Sequence, residues 1–415
     1  MERPFVGGNI LKEVFAEMPA GEQVRDLFES CAEKSDRFAV LVNRIDDFDK
    51  LLDGIGKGAA SDVAVSLAGV IDSLSDTHPM KWGRIDDDQF ACFCPDMDEG
   101  AAVELAGKIQ AGLTPSGKQT VSIGIAVYPF WPFEKAAIVA NAQKALDHAA
   151  FFGPGTITTF DAVSLNISAD KLYQYGDVDG AIDEFKKALA VDAQNVNVIN
   201  SLGVCYGVQG KLDLAIEAFE AALHLEPKDV MATYNLGLAH LRQGNQEKAL
   251  GLFLEAHGLD GDNPEICCQI GMCYWDGGQA ETALDYLKRA AQNTRKGAHM
   301  FRVLADCYLE SDMLHEATKA YEKAVKANPA DAKSLSALGH LYGALGENME
   351  IAIVLAKEST AIEPNNGLYR YRLGKLYLQN HDHQKAADEL KMAVEMGEDC
   401  AELLQEAKRA ADEAT

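Results

Sequence analysis

The spacing of hydrophobic and polar positions changes character once along the chain. Before about residue 160, short apolar runs alternate with helical stretches. RFAVLVNRI (37–45) reads as a buried strand, 59–75 as a helix, KWGRI and QFACFCP as a hairpin, and 99–113 as a helix. QTVSIGIAVYP (119–129) then reads as a strand, 136–152 as a helix and TITTF (156–160) as a last strand. That order predicts helices packed on a mainly antiparallel sheet, an α+β domain over residues 1–161. From about Val163 onward the apolar positions keep helical spacing, and the sequence repeats itself with a period of 34 residues.

The repeat is carried by small, large and turn-forming residues at fixed offsets. Leu202, Gly203, Tyr206, Ala215, Phe219, Ala222 and Pro227 return as Leu236, Gly237, Ala249, Phe253 and Ala256, and later as Tyr308, Ala317, Tyr321, Ala324 and Pro329. Small residues allow two helices to approach closely, and the aromatics fill the space between them. Gly176, Gly210, Gly244 and Gly346 fit the turn inside each helix pair, and Pro227, Pro329 and Pro364 end its second helix. These residues resemble the tetratricopeptide repeat (TPR), which implies an all-α superhelical solenoid. We read seven repeats over 162–400 and a polar amphipathic capping helix over 401–415. The sixth unit carries one extra residue at Gly346–Glu350 and has Ala356 in place of the aromatic, which predicts looser packing there.

Charge narrows the function. The 415 residues carry a formal net charge of −26, which argues against nucleic acid and anionic membrane surfaces as partners. No segment offers the roughly 18 apolar residues of a membrane span, and the first residues lack a signal-like apolar core, so a cytoplasmic protein with no membrane insertion is expected. Nine cysteines form no disulfide pattern. Cys267, Cys268 and Cys273 fall on different helical faces and read as packed thiols rather than a zinc set.

The segments SIGIAVYP and NAQKALDHAAFFGPGTITTFD, following RIDDDQF, resemble the GGDEF domain of diguanylate cyclases. In that family a glycine-rich turn approaches a nucleotide, and acids bind magnesium. Here the turn reads Asp86-Asp87-Asp88-Gln89-Phe90, with aspartates where the family has glycines. The family's metal-binding aspartate falls at Arg44, its guanine contacts at Leu52 and Ser61, and its phosphate-facing cations at Ala150 and Pro154. The family's inhibitory-site motif would run from Thr77 to Met80. If each of three lost contacts was worth about 1.5 to 3 kcal/mol, about three to six decades of nucleotide affinity are gone. The resemblance therefore implies a catalytically dead domain with no cofactor and no metal, in which Arg44 and Asp88 form a vestigial site joined by a salt bridge. Asp46, Asp47, Asp49, Asp86, Asp87 and Asp88 then read as a solvated acidic rim rather than a new cation site. The loop carrying Phe130, Trp131 and Phe133 reads as packing against the first repeat or as an alternative partner patch.

The function expected is that of a scaffold or adaptor without enzymatic activity. The TPR resemblance places the first helix of each repeat on a concave groove. Its exposed positions are Asn200, Ser201, Tyr234, Asn235, Leu238, Arg242, Cys268, Gln269, Met272, Trp275, Arg302, His340, Tyr371, Arg372 and Lys375. Amides and hydroxyls there suit a peptide backbone, Tyr234, Met272 and Trp275 suit apolar side chains, and the arginines suit an acidic or C-terminal carboxylate element. The alternative is a sensor of GTP or a cyclic dinucleotide coupled to the same groove.

Overall fold

The computed structural model describes residues 8–54, 56–113, 119–293 and 297–413. The chain divides into two compact units, Met1–Pro227 and Lys228–Thr415.

The first unit begins with helices α1 (Gly8–Val14) and α2 (Glu22–Glu33) and strand β1 (Phe38–Ile45). Helices α3 (Phe48–Gly54) and α4 (Lys57–Ser75) lead to the hairpin β2 (Lys81–Arg84) and β3 (Gln89–Pro95), then to α5 (Glu99–Leu113), β4 (Val121–Tyr128), α6 (Ile138–Ala149) and β5 (Ile157–Thr159). The sheet order is β2-β3-β1-β4-β5, antiparallel except for β4 with β5. The expected α+β domain is present. Strand β1 is covered on both faces, so it reads as a continuous apolar run. Ala39, Leu41 and Ile45 pack in a core shared with α4 and α5, whereas Phe38, Val40 and Val42 pack in one shared with α2 and α6. Gly124 lets α6 close on β4, because a Cβ there would collide with the backbone of Ala142 and Leu146.

Helices α7 (Ala162–Gln174), α8 (Val178–Val191), α9 (Val196–Val208) and α10 (Leu212–Leu225) complete this unit as two helix pairs. The second core runs on into them without a break, from Phe28 and Phe93 through Leu146 and Phe160 to Leu165, Phe185 and Leu202. Polar contacts reinforce the junction. Lys171 meets Asp147 at 2.9 Å, and His148 Nδ1 lies 3.2 Å from Ser164 Oγ. Lys144 pairs with the buried Glu184, whose pKa burial would raise, but Lys144 and Lys187 outweigh that and hold it below the usual range.

The second unit holds five further pairs: α11 (Val230–Arg242) with α12 (Gln246–Leu259), α13 (Pro264–Asp276) with α14 (Ala280–Asn293), α15 (Ala298–Glu310) with α16 (Leu314–Ala327), α17 (Ala332–Leu345) with α18 (Met349–Ile362), and α19 (Gly367–Gln379) with α20 (His383–Glu395). Helix α21 (Ala401–Glu413) follows. Gly203 and Gly237 sit against the rings of Phe219 and Phe253, where an added Cβ would meet ring carbon at 2.6 Å in both cases. Every pair turns on a residue of positive φ: Gly176, Gly210, Gly244, Gly278, Asp312, Gly346 and His381. Each turn is closed by the same bond from the next N–H back to the helix, as in Lys211 N to Tyr206 O at 2.9 Å and Met313 N to Tyr308 O at 2.9 Å.

The sixth pair departs from expectation. With Ala356 in the aromatic position, Gly339 comes up against backbone instead of a ring, and a Cβ there would stand 2.7 Å from the Ala352 carbonyl. Ala356 is fully buried. The pair has closed over the missing ring instead of loosening around it. The added residue is taken up at Asn348, which is left-handed with φ of 40°.

Candidate functional sites

A cleft of about 490 Å³ opens at the end of β1, bounded by the Asp88 turn and the loop after α6. Arg44, Asp47, Asp49, Lys50, Asp88 and Pro154 are among its lining residues. Arg44 and Asp88 therefore share one cavity, yet the 4 Å ion pair expected between them is not formed. What ties the strand end to the turn is main chain, with Ile45 N donating to Asp88 O at 2.9 Å.

The cation that organises the turn is Arg84, a residue the sequence reading passed over. It is 1% exposed, donates Nε to the carbonyl of Asp86 at 3.0 Å and Nη2 to that of Asp87 at 2.6 Å, and stands 3.6 Å from the Asp87 carboxylate. The signal was there in RIDDD: a base one residue ahead of three acids. Burial pushes the Asp88 carboxyl above its usual range, and Asp86 adds to this, while Arg44 pulls the other way.

Asp46 does not belong to the acidic rim. It is buried, and its carboxylate accepts from Thr120 Oγ1, Ser122 Oγ and Gly155 N, each at 2.7 Å. It fastens β4 and the loop before β5 to the end of β1. Asp47 is salt-bridged to Lys50 at 2.7 Å. Among the described residues no three His, Cys, Asp or Glu side chains are arranged to hold a metal ion. At the positions that the resemblance assigns to guanine contacts, Leu52 packs on the core, and Ser61 Oγ donates to Lys57 O within its own helix.

The aromatic loop divides. The rings of Phe130 and Phe133 stand edge-on to Phe160, at 5.2 and 5.4 Å, directly before α7, and so belong to the core that continues into the first helix pair. Trp131 is 83% exposed.

Of the groove residues, Asn200 and Ser201 lie half-buried on α9 in the first unit. The others belong to the second. On α11, Tyr234, Asn235 and Leu238 are half-buried and Arg242 is exposed. On α13, Gln269, Met272 and Trp275 are half-buried, whereas Cys268 is 1% exposed and belongs to the core rather than to a groove. Burial and neighbouring Glu265 push the Tyr234 hydroxyl up to about 12. Trp275 Nε1 donates to Glu310 at 2.9 Å.

The last three pairs carry a charged network that sequence offsets did not disclose. Arg302 pairs with Asp331 at 3.2 Å, and Lys333 with Asp306 at 2.8 Å, while the Tyr321 hydroxyl donates to the other Asp306 oxygen. Arg372 donates to the buried Ser336 hydroxyl at 3.3 Å. Beside it, His340 is lowered to about 4, first by burial and then by Arg372 and Lys375. Among the described residues neither Arg372 nor Lys375 has a carboxylate partner within 4.0 Å. Tyr371 is half-buried on the same helix.

Residues 20–150 match the GGDEF domain of diguanylate cyclases, and residues 206–264 and 268–332 match the tetratricopeptide repeat. No curated protein matches the chain. Among solved structures, the APC/C hetero-tetramer Cut9–Hcn1 is 21% identical with a TM-score of 0.46, over 52% of this chain and 43% of that one. PilF of Pseudomonas aeruginosa is 19% identical with a TM-score of 0.46, over 50% and 95%. YrrB, a TPR protein with an unusual peptide-binding site, is 22% identical with a TM-score of 0.37, over 45% and 95%.

Proposed function

We propose that this chain, which carries a GGDEF domain followed by tetratricopeptide repeats, is an adaptor: its repeats hold an acidic or C-terminal segment of a partner protein, and its GGDEF domain performs no cyclisation. One observation carries the reading. In a protein of net charge −26, Arg372, Lys375 and the depressed imidazole of His340 converge with no carboxylate in ion-pair reach among the described residues. Such a site attracts an incoming anion directly, and the bound anion would offset part of what keeps His340 neutral, burial first and the two cations second, so that acid strengthens the attraction. A ligand carboxylate would sit at Arg372 and Lys375. The rest of the segment would be met by the amide groups of Asn235 and Gln269 and the apolar surfaces of Tyr234, Leu238, Met272 and Trp275.

Two features support the absence of cyclase chemistry. A guanidinium at Arg44 stands where an ion would need a carboxylate, and Asp88 of the turn, with Asp47 and Asp49, lines the cleft that a triphosphate would have to enter. The reading is tested with two probes. With GTP and magnesium the protein should yield no cyclic dinucleotide and no thermal shift. A peptide ending in Asp-Glu-Asp with a free carboxyl terminus should bind saturably, and more weakly when amidated or in high salt. A GTP-induced shift of several degrees would favour the sensor instead.

A further inference from the structure

The sheet domain has a second cavity, on the face opposite α4 and α5, and it belongs neither to the acidic turn nor to the repeats. It is a groove of about 1000 Å³ running between α2 and α6 over the sheet. Beneath it lies a row of rings, buried but for the half-buried Tyr128: Phe28 is tilted against Phe93 at 5.7 Å, Phe93 stacks on Phe38 at 4.7 Å and Phe38 on Tyr128 at 5.3 Å.

The two walls differ in kind. On the α6 side stand Ala136, Val139, Ala140 and Gln143, at helical spacing, with Ala136 and Ala140 exposed. Small residues in such a row let another helix approach closely. On the α2 side, Glu22, Glu29 and Glu33 recur at intervals of seven and four and so line one edge of that helix. All three are exposed, and among the described residues none is in an ion pair within 4.0 Å. Glu134 adds a fourth acid, while Arg25 and Lys135 are the cations of the lining. Lys135 is drawn over the Tyr128 ring, 5.6 Å from its centroid.

We infer that this groove receives an amphipathic helix of a partner protein, its apolar stripe over the half-buried Ile85, Tyr128 and Val139 that cover the aromatic floor and its small-residue side against α6, with lysines or arginines along the edge that faces α2. The occupant's charge follows from the wall it must meet. Three carboxylates along one edge reward a row of cations and repel an acidic helix. The inference stands apart from the anion-binding reading of the repeats, since it calls for a ligand of opposite charge.

The test uses the full-length protein and an amphipathic Leu/Lys peptide of about four turns, with a Leu/Glu peptide of the same pattern as control. The Leu/Lys peptide should bind with one-to-one stoichiometry, and a photo-crosslinking residue on its apolar side should label α2 or α6. Ala140→Arg, which fills the groove from an exposed position, should weaken binding at least tenfold. The double change Glu29→Lys and Glu33→Lys leaves the groove open and should reverse the preference between the two peptides. Lys375→Glu, in the second unit, should leave the affinity for the Leu/Lys peptide unchanged. If Leu/Lys binds all variants equally, or labels other surfaces, its attraction is to the acidic protein at large and the inference is overturned. Absence of saturable binding overturns it as well. Should Ala140→Arg lower the melting temperature, the charge-reversal pair decides alone.

Discussion

Arg84 Nη2 donates to the backbone carbonyl of Asp87 at 2.6 Å, so the acidic turn is held by a buried guanidinium reading main chain. The hold does not depend on which side chains the turn carries, because the carbonyls accept the cation whatever they are. Arg84→Met should leave the Asp86 and Asp87 carbonyls without this donor and cost about 2 to 4 kcal/mol, read by urea denaturation. Arg44→Met, at the half-buried cleft position, should cost less than about 1 kcal/mol. Equal losses would mean that Arg44 shares the work.

The turns inside the helix pairs give a second prediction. Gly210 has φ of 73°, where a Cβ is strained, so Gly210→Ala should cost about 1 to 2 kcal/mol. Asp312 already holds φ of 60°. Asp312→Gly should change stability by less than about 0.5 kcal/mol, because relief of strain is offset by the greater freedom of glycine in the unfolded chain. Denaturation midpoints of the two variants check the contrast.

The fold was legible where one residue type had one structural meaning. Gly203 faces Phe219 and Gly237 faces Phe253, and the same distance in sequence reproduces the same contact in space. The turn position was read at four glycines, whereas Gly278 and the non-glycine Asp312 and His381 escaped. Site residues were harder. Resemblance drew attention to Arg44 because a family landmark falls there, while Arg84, two strands away, does the holding. Cys268 was assigned to the groove by offset, but offset alone does not show how far a neighbouring helix covers a side chain. The joining of Lys144 to Glu184 depends on two helices meeting, which no local pattern announces.

His340 provides a pH-dependent prediction. Its folded value of about 4 lies below the ordinary 6.5, so the unfolded chain takes up the proton first. The stability it contributes is complete above about pH 6.5 and declines as pH falls toward 4. An anionic ligand beside Arg372 and Lys375 raises the imidazole pKa, so binding should take up protons and tighten between pH 7 and 5. His340→Gln should flatten that dependence without abolishing binding. Affinity of the Asp-Glu-Asp peptide measured across this range, for both proteins, checks it. His299, also held below its ordinary value by burial and Arg302, remains in both proteins and cancels in the comparison.

The central claim is that the repeats capture an anionic protein segment at Arg372 and Lys375. Its most direct test is the affinity of the free-carboxyl Asp-Glu-Asp peptide for wild type and Lys375→Glu, with melting temperatures taken in parallel. Lys375 is half-buried with no ion-pair partner within 4.0 Å among the described residues, so its reversal should leave melting nearly unchanged. The predicted result is a loss of at least about tenfold, or about 1.4 kcal/mol, at unchanged melting temperature. Equal affinity for the two proteins, or no saturable binding to wild type, would contradict the account.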